Sequence, residues 1–222
     1  MLGRFISFEG GEGAGKSTHA ALLAQRLRGL GISVVLTREP GGSVGAEIIR
    51  HILLNGAAKP FGPDAEALLF AAARTDHVAN TIRPALERGD WVICDRFIDS
   101  TRAYQGMLGQ VDARIIRALE RLAVGNTMPD LTVMLDVPPR LGLERAAARR
   151  GTEAADRFER EAPDFHADLQ RAFRAIAEAD PNRCVLIDAR RPKEEVAANV
   201  WEAVRTRLSP AAVAPAMAGA TS

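Results

Sequence analysis

Eight residues, Gly10-Gly11-Glu12-Gly13-Ala14-Gly15-Lys16-Ser17, constrain the fold of this chain more than any others. They fit the phosphate-loop pattern of Gly, four variable residues, Gly, Lys and Ser or Thr, which carries meaning only where a strand leads in and a helix leads out. Both flanks are present. Phe5-Ile6-Ser7-Phe8 is an apolar run of strand length, and Ala20 to Leu27 is rich in the helix formers Ala and Leu. Glycines let backbone N–H groups turn onto a polyphosphate, and a helix N-terminus adds its positive dipole end. Gly10, Gly11, Glu12, Gly13, Ala14, Gly15, Lys16, Ser17 and Thr18 are therefore the candidate nucleoside triphosphate site. Lys16 suits the β and γ oxygens, and the Ser17 hydroxyl suits Mg²⁺.

Strand-like and helix-like segments alternate from here on. The strand candidates are Phe5 to Glu9, Ser33 to Thr37, Trp91 to Asp95, Leu131 to Asp136 and Cys184 to Asp188. The expectation is an α/β fold: a five-stranded parallel sheet with helices on both faces, residues 1–208 forming one domain. The runs are almost continuously apolar, as strands covered on both faces should be. Ligands of such sheets gather at the carboxyl ends of the strands. A formal net charge of +1 leaves no broad basic surface for a nucleic-acid backbone. Lysine occurs only at Lys16, Lys59 and Lys193, so arginine forks carry the positive charge, and these suit phosphates.

The strand ends are chemically rich. Thr37-Arg38-Glu39-Pro40-Gly41-Gly42 forces a turn, and a helix from Val44 follows, carrying Arg50 off its apolar face. Taken alone, Arg50 reads equally well as a solvated charge. Ala65 to about Arg88 is helical with a break expected near Asn80 to Pro84, and it sets Phe70 and Arg74 four residues apart on one face. Phe70 by itself reads first as core. Asp95, closing an apolar strand beside Arg96, is a candidate metal-organising carboxylate with Asp136 as its rival. Ser100, Thr101, Tyr104 and Gln105 offer polar groups to a sugar and a base, or else belong to a capped surface helix.

Arginines crowd a Gly-Thr break between Glu144 and Arg157, the pattern of a basic lid at about 145–157, with a charged helix end as the plainer account. Asp164 to Glu178 and Lys193 to Leu208 read as the last two helices. Residues 209–222 are Ala, Pro, Gly, Ser and Thr with little to bury, the composition of a disordered and dispensable tail. Cys94 and Cys184 lie in strand runs and read as buried thiols. His19, His51, His77 and His166 are too scattered for a local zinc motif, and no histidine is expected to act beside the site motifs. No signal sequence or membrane span is evident, so a cytoplasmic location is expected.

In this order and spacing, Phe8 to Thr18, Thr37 to Gly42, Leu69 to Arg74, Asp95-Arg96 and Ala103-Tyr104-Gln105-Gly106 resemble the bacterial thymidylate kinases over residues 4 to 207. The resemblance implies a P-loop nucleoside monophosphate kinase that moves the γ-phosphoryl of ATP to dTMP with Mg²⁺, in a homodimer. It makes Lys16, Asp95 and Arg96 catalytic and gives the metal to Ser17 and Asp95. Glu12 would address the acceptor's 3′-hydroxyl, Arg96 its phosphate, and Glu39 and Arg50 the wall of the monophosphate site. Phe70 and Arg74 would stack on thymine and bond its carbonyl, with Thr101 and Gln105 nearby and Tyr104 crowding the ribose 2′ position. Some members carry an arginine directly after the acidic loop residue. Here that position is Gly13, which moves the cation to lid arginines, Arg149 and Arg150 above all, with Arg145 a third candidate.

Two rivals remain at this stage. One is a P-loop kinase for another nucleotide or a deoxynucleoside, for which Glu39 is the only loop carboxylate placed to act as base. The other is a nucleotide-hydrolysing switch, weakened by the absence of an Asn-Lys-x-Asp guanine signature.

Overall fold

The computed structural model describes residues 3–150 and 157–210, so the centre of the expected lid and the tail beyond 210 lie outside the described residues. Five strands, β1 (Phe5–Glu9), β2 (Val34–Arg38), β3 (Trp91–Asp95), β4 (Leu131–Asp136) and β5 (Cys184–Asp188), form one parallel sheet in the order β2-β3-β1-β4-β5. Four strands keep their expected bounds. β2 lies one residue later than expected, with Val34 opposite Trp91 and Arg38 opposite Asp95.

Side chains of β1 alternate between the two layers, as the pleat requires. Ile6 and Phe8 join Leu131, Val133 and Leu135 against Leu23 and Leu27 of α1 (Lys16–Gly29) and Val196, Val200 and Val204 of α9 (Lys193–Leu208). On the opposite face Phe5, Val92 and Cys94 pack on Ala67 and Ala71 of α3 (Gly62–His77) and on Ile116 and Leu119 of α6 (Ala113–Ala123). Beside them Met134 and Cys184 meet Leu169 and Phe173 of α8 (Pro163–Ala179). Each fully buried Leu or Phe contributes roughly 1.5–3 kcal/mol. Ser7 and Glu9 share the face of Phe5, so the central strand carries polar groups only toward α3, α6 and α8.

The chain leaves β1 on the α1 face and leaves β3 on the α6 face. The crevice between those two strand ends is the topological switch point, where ligands of such sheets bind. The phosphate loop and Asp95-Arg96 flank it, because Phe8 stands opposite Asp95 in the ladder.

Two expectations need correction, and one helix was not expected at all. β2 and β5 are edge strands, and Leu36 and Leu186 are 41% and 44% exposed, so the near-continuous burial holds only for the inner strands. The break expected near Asn80 to Pro84 is a widened helical turn, Val78–Ile82, which joins α3 to α4 (Arg83–Glu87) without interruption. α6 had no counterpart in the sequence analysis. Its cap was legible, since the Asp112 side chain accepts from the Arg114 amide at 2.7 Å ahead of Ile116, Leu119 and Ala123 at helical spacing. The remaining helices are α2 (Val44–Leu54), α5 (Ile98–Thr101), which continues through wide turns over Arg102–Leu108, and α7 (Pro139–Arg150). Both cysteines are free and buried.

Candidate active site

Backbone geometry explains the loop's glycines at one position above all. Gly13 has φ 64°, and a Cβ there would lie 1.8 Å from the Gly142 carbonyl oxygen of α7. No side chain fits, so an arginine after Glu12 is excluded by packing as well as by sequence. Lys16 Nζ donates to the Gly10 and Gly11 carbonyls at 3.1 and 2.7 Å. Burial and the nearby Arg96 lower its pKa to about 8, against the pull of Glu12, Asp95 and Glu9. Ser17 Oγ donates to Asp95 Oδ2. Asp136 is engaged elsewhere, by Arg174 at 2.7 Å and Gln170 at 2.8 Å, which separates the two rival carboxylates.

Arg96 follows Asp95 with φ 70°, a left-handed backbone that is costly for a residue with a side chain. From there Nη2 donates to Glu12 Oε1 at 2.5 Å, and Tyr104 Oη donates to the same oxygen at 3.0 Å. The guanidinium lies 5.3 Å from the Tyr104 ring centroid. Burial alone pushes the Glu12 carboxyl up, but Arg96, Lys16 and Tyr104 outweigh it and hold it at about 2.

Glu9 lies beneath this group, fully buried, accepting from the Phe97 and Ser100 amides at 2.8 and 3.1 Å and from Ser100 Oγ at 2.6 Å. Burial and repulsion from Asp99 raise its pKa to about 7. Sequence reasoning passed over Glu9, although it closes an apolar strand just as Asp95 and Asp136 do.

The other wall comes from α3 and the loop after β2. Arg74 donates through Nε to Glu39 Oε2 at 2.7 Å, through Nη1 to Thr101 Oγ1 at 2.8 Å and through Nη2 to the Phe97 carbonyl at 3.0 Å. His77 Nδ1 lies 2.9 Å from Glu39 Oε1, and its Nε2 lies 2.7 Å from Thr37 Oγ1. The view that no histidine stands near a motif is thus corrected: α3 brings His77 onto the Glu39 loop from 38 residues away. With both oxygens engaged, Glu39 is a poorly available base. Arg50 Nη1 donates to the Pro40 carbonyl at 2.5 Å.

A cavity of about 220 Å³ joins these groups. Its lining includes Glu12, Gly13, Gly15, Lys16, Ser17, Glu39, Arg50, Phe70, Arg74, Asp95, Arg96, Ser100, Thr101, Tyr104, Gln105 and Arg149. Gly10 and Gly11 line a separate small cavity, Ala14 is buried, and Thr18 is exposed on the first turn of α1. Phe158, missed in the sequence, completes the aromatic wall, its ring centroid 5.1 Å from Tyr104 and 6.5 Å from Phe70. Glu66 was missed as well, although it precedes Phe70 by four residues and Arg74 by eight. Of the lid candidates, Arg145 donates to the Ala189 carbonyl at 2.8 Å and lies outside the cavity lining. Arg150 pairs with Glu159, and Arg149 comes to 3.8 Å of the same carboxylate.

A phosphate loop at the switch point of a five-stranded parallel sheet, sharing one cavity with a second, aromatic and arginine-lined pocket, defines the P-loop nucleoside monophosphate kinase class. The family model described as thymidylate kinase matches residues 8–200. The thymidylate kinase of Rhodopseudomonas palustris is 60% identical over 223 residues, covering 100% of this chain and 95% of that protein. That of a Bradyrhizobium strain is 59% identical over 212 residues, covering 96% and 94%. Among solved structures, thymidylate kinase from Ehrlichia chaffeensis superposes with a TM-score of 0.73 at 33% identity, covering 92% of this chain and 99% of that one. The chain belongs to the thymidylate kinase family.

Proposed function

We propose that this protein transfers the γ-phosphoryl group of ATP to the phosphate of dTMP, giving dTDP and ADP for dTTP synthesis. The observation that carries the reading is the Glu12, Arg96 and Tyr104 cluster, which sits in one cavity with Lys16 and Ser17 on one side and Phe70 and Arg74 on the other. ATP phosphates belong on the Gly10 to Thr18 loop, and the acceptor belongs between Arg96, the Glu39 and Arg50 wall, and the aromatic pocket.

The nucleophile is a phosphate oxygen already ionised at neutral pH, so no base has to take a proton. Catalysis rests on alignment and on cations over the equatorial oxygens. Lys16 and Arg96 supply two of these, and a lid arginine, Arg149 or Arg150, supplies another from a segment at about 145–157. Glu12, ionised at neutral pH, accepts the acceptor's 3′-hydroxyl. The Tyr104 ring crowds the 2′ position, and Arg74, with Thr101, Ser100 and Gln105 nearby, reads the base over the Phe70 ring. Ser17 Oγ and Asp95 Oδ2 already touch, a hydroxyl and a carboxylate beside Lys16, which is a hard-oxygen donor set suited to Mg²⁺. When bound, the ion offsets the charge of the triphosphate.

The functional unit is proposed to be a homodimer of one-domain subunits. Val44, Ile48 and Ile52 of α2 form an exposed apolar row, and Leu68 of α3 and Leu122 of α6 are exposed as well. A second copy of this chain is the occupant proposed for that surface. The proposed place of work is the cytoplasm, where nucleotide substrates are met. No described helix is long and apolar enough to cross a membrane. Calorimetric titration tests the two-site reading: dTMP and a non-hydrolysable ATP analogue should each bind once per chain and together. Mutually exclusive binding would overturn it.

A further inference from the structure

Glu66 of α3 is nearly buried and divides its two oxygens between two partners. Gln105 Nε2 donates to Oε1 at 2.9 Å, and Arg157 Nη1 pairs with Oε2. Gln105 is itself buried and lines the acceptor cavity with Arg74 and Thr101.

The two ends of a glutamine amide have the same shape and opposite chemistry, so the partner decides which end faces where. A carboxylate only accepts hydrogen bonds. Glu66 therefore fixes the amide nitrogen of Gln105 toward itself and leaves the carbonyl oxygen as the end available to the cavity. A cavity acceptor beside the Arg74 donors complements a base with an N–H at position 3 and a carbonyl at position 4. Cytosine presents a lone pair at N3 and an amino group at C4, the reverse at both points.

We propose that Glu66 is a positioning and specificity-determining residue: by holding the Gln105 amide nitrogen, it turns the Gln105 oxygen toward the base and selects for an N3–H. The inference rests on the dTMP reading given above. Arg157 has a supporting part, since it neutralises Glu66 while its guanidinium lies 4.7 Å from the Phe158 ring centroid.

The test is the ratio of kcat/KM for dTMP to kcat/KM for dCMP, which does not depend on how much enzyme is folded. In Glu66→Gln the new amide can also donate, so the Gln105 amide is free to turn over. The ratio should fall about tenfold, the worth of one hydrogen bond of ordinary strength, mainly through a higher KM for dTMP. Gln105→Leu should lower the ratio similarly, and the double variant should lose no more than either single one. Arg157→Lys, which keeps a cation on Glu66 and leaves the Glu66 to Gln105 bond in place, should keep the wild-type ratio. An unchanged ratio in Glu66→Gln, additive losses in the double variant, or an equal loss in Arg157→Lys would each overturn the proposal. A wild-type enzyme without preference for dTMP would instead overturn the dTMP reading itself.

Discussion

Arg96 donates to Glu12 at 2.5 Å across 84 residues of sequence, from a left-handed backbone position that turns the end of β3 back over the phosphate loop. The pair fixes the one carboxylate proposed to meet the acceptor's sugar. Glu12 has its folded pKa at about 2 against an ordinary 4.5, so its stabilising contribution is present above about pH 4.5 and is lost as pH falls toward 2. That contribution is on the order of 3 kcal/mol. Glu12→Gln should therefore be less stable than wild type at pH 7, with the gap narrowing at pH 3, and urea unfolding at the two pH values checks it. A gap that does not vary with pH would place the loss in packing.

Burial and the neighbouring Arg96 disfavour the charge of Lys16 and lower its pKa to about 8. Its charged form is the one that meets phosphates. kcat/KM for ATP should fall above about pH 8, while kcat, measured with phosphates bound beside the ammonium, should hold to higher pH. Lys16→Ala should lower kcat by about 10² or more. Rates flat to pH 10 in kcat/KM would contradict the assignment.

Arg74 supports the fold and the pocket together, because its Nε holds the buried Glu39. Arg74→Ala should weaken dTMP binding at least tenfold and leave ATP binding within about twofold. It should also destabilise the protein by about 3–5 kcal/mol, since Glu39 would lose a buried partner. Equal losses of both nucleotides in a titration would reduce its role to the fold alone.

Arg149 lines the cavity, whereas Arg150 is tied to Glu159. Removing the arginine that meets the transition state should cut kcat by about 10³ or more with little change in KM for dTMP. Single Arg149→Ala and Arg150→Ala variants distinguish the two. If both keep kcat within about twofold, neither is the catalytic cation.

Val44 is 85% exposed and Ile48 63% exposed, one helical turn apart on α2. Ile48→Asp should convert a dimer to a monomer in sedimentation velocity. A wild-type monomer at micromolar concentration would end the dimer proposal.

The sheet was legible because strand runs are short, apolar and bounded by Gly and Pro, and its inner strands match the expectation residue for residue. The loop from Gly10 to Ser17 and the Asp95-Arg96 end were legible because phosphate chemistry demands local patterns. Pairings across the sequence were not. His77 and Glu39, or Glu66 and Gln105, meet only once α3 is laid beside the strand ends, and no spacing along the chain encodes that contact. Glu9 was the exception: its place at the end of a buried strand was visible, but the phosphate loop beside it drew all the meaning. α6 was overlooked although its Asp112 cap and apolar spacing were in plain view.

The Glu12, Arg96 and Tyr104 cluster and the Arg74 wall are proposed to make a dTMP site beside ATP. ADP formation from Mg-ATP, measured with dTMP, dUMP, UMP, dCMP, dGMP, thymidine or no acceptor, tests it most directly. kcat/KM should be highest for dTMP and lower for dUMP, with little for UMP because of the Tyr104 ring and almost none without acceptor. Equal ADP release with and without an acceptor, or a stronger preference for UMP or dGMP, would contradict it.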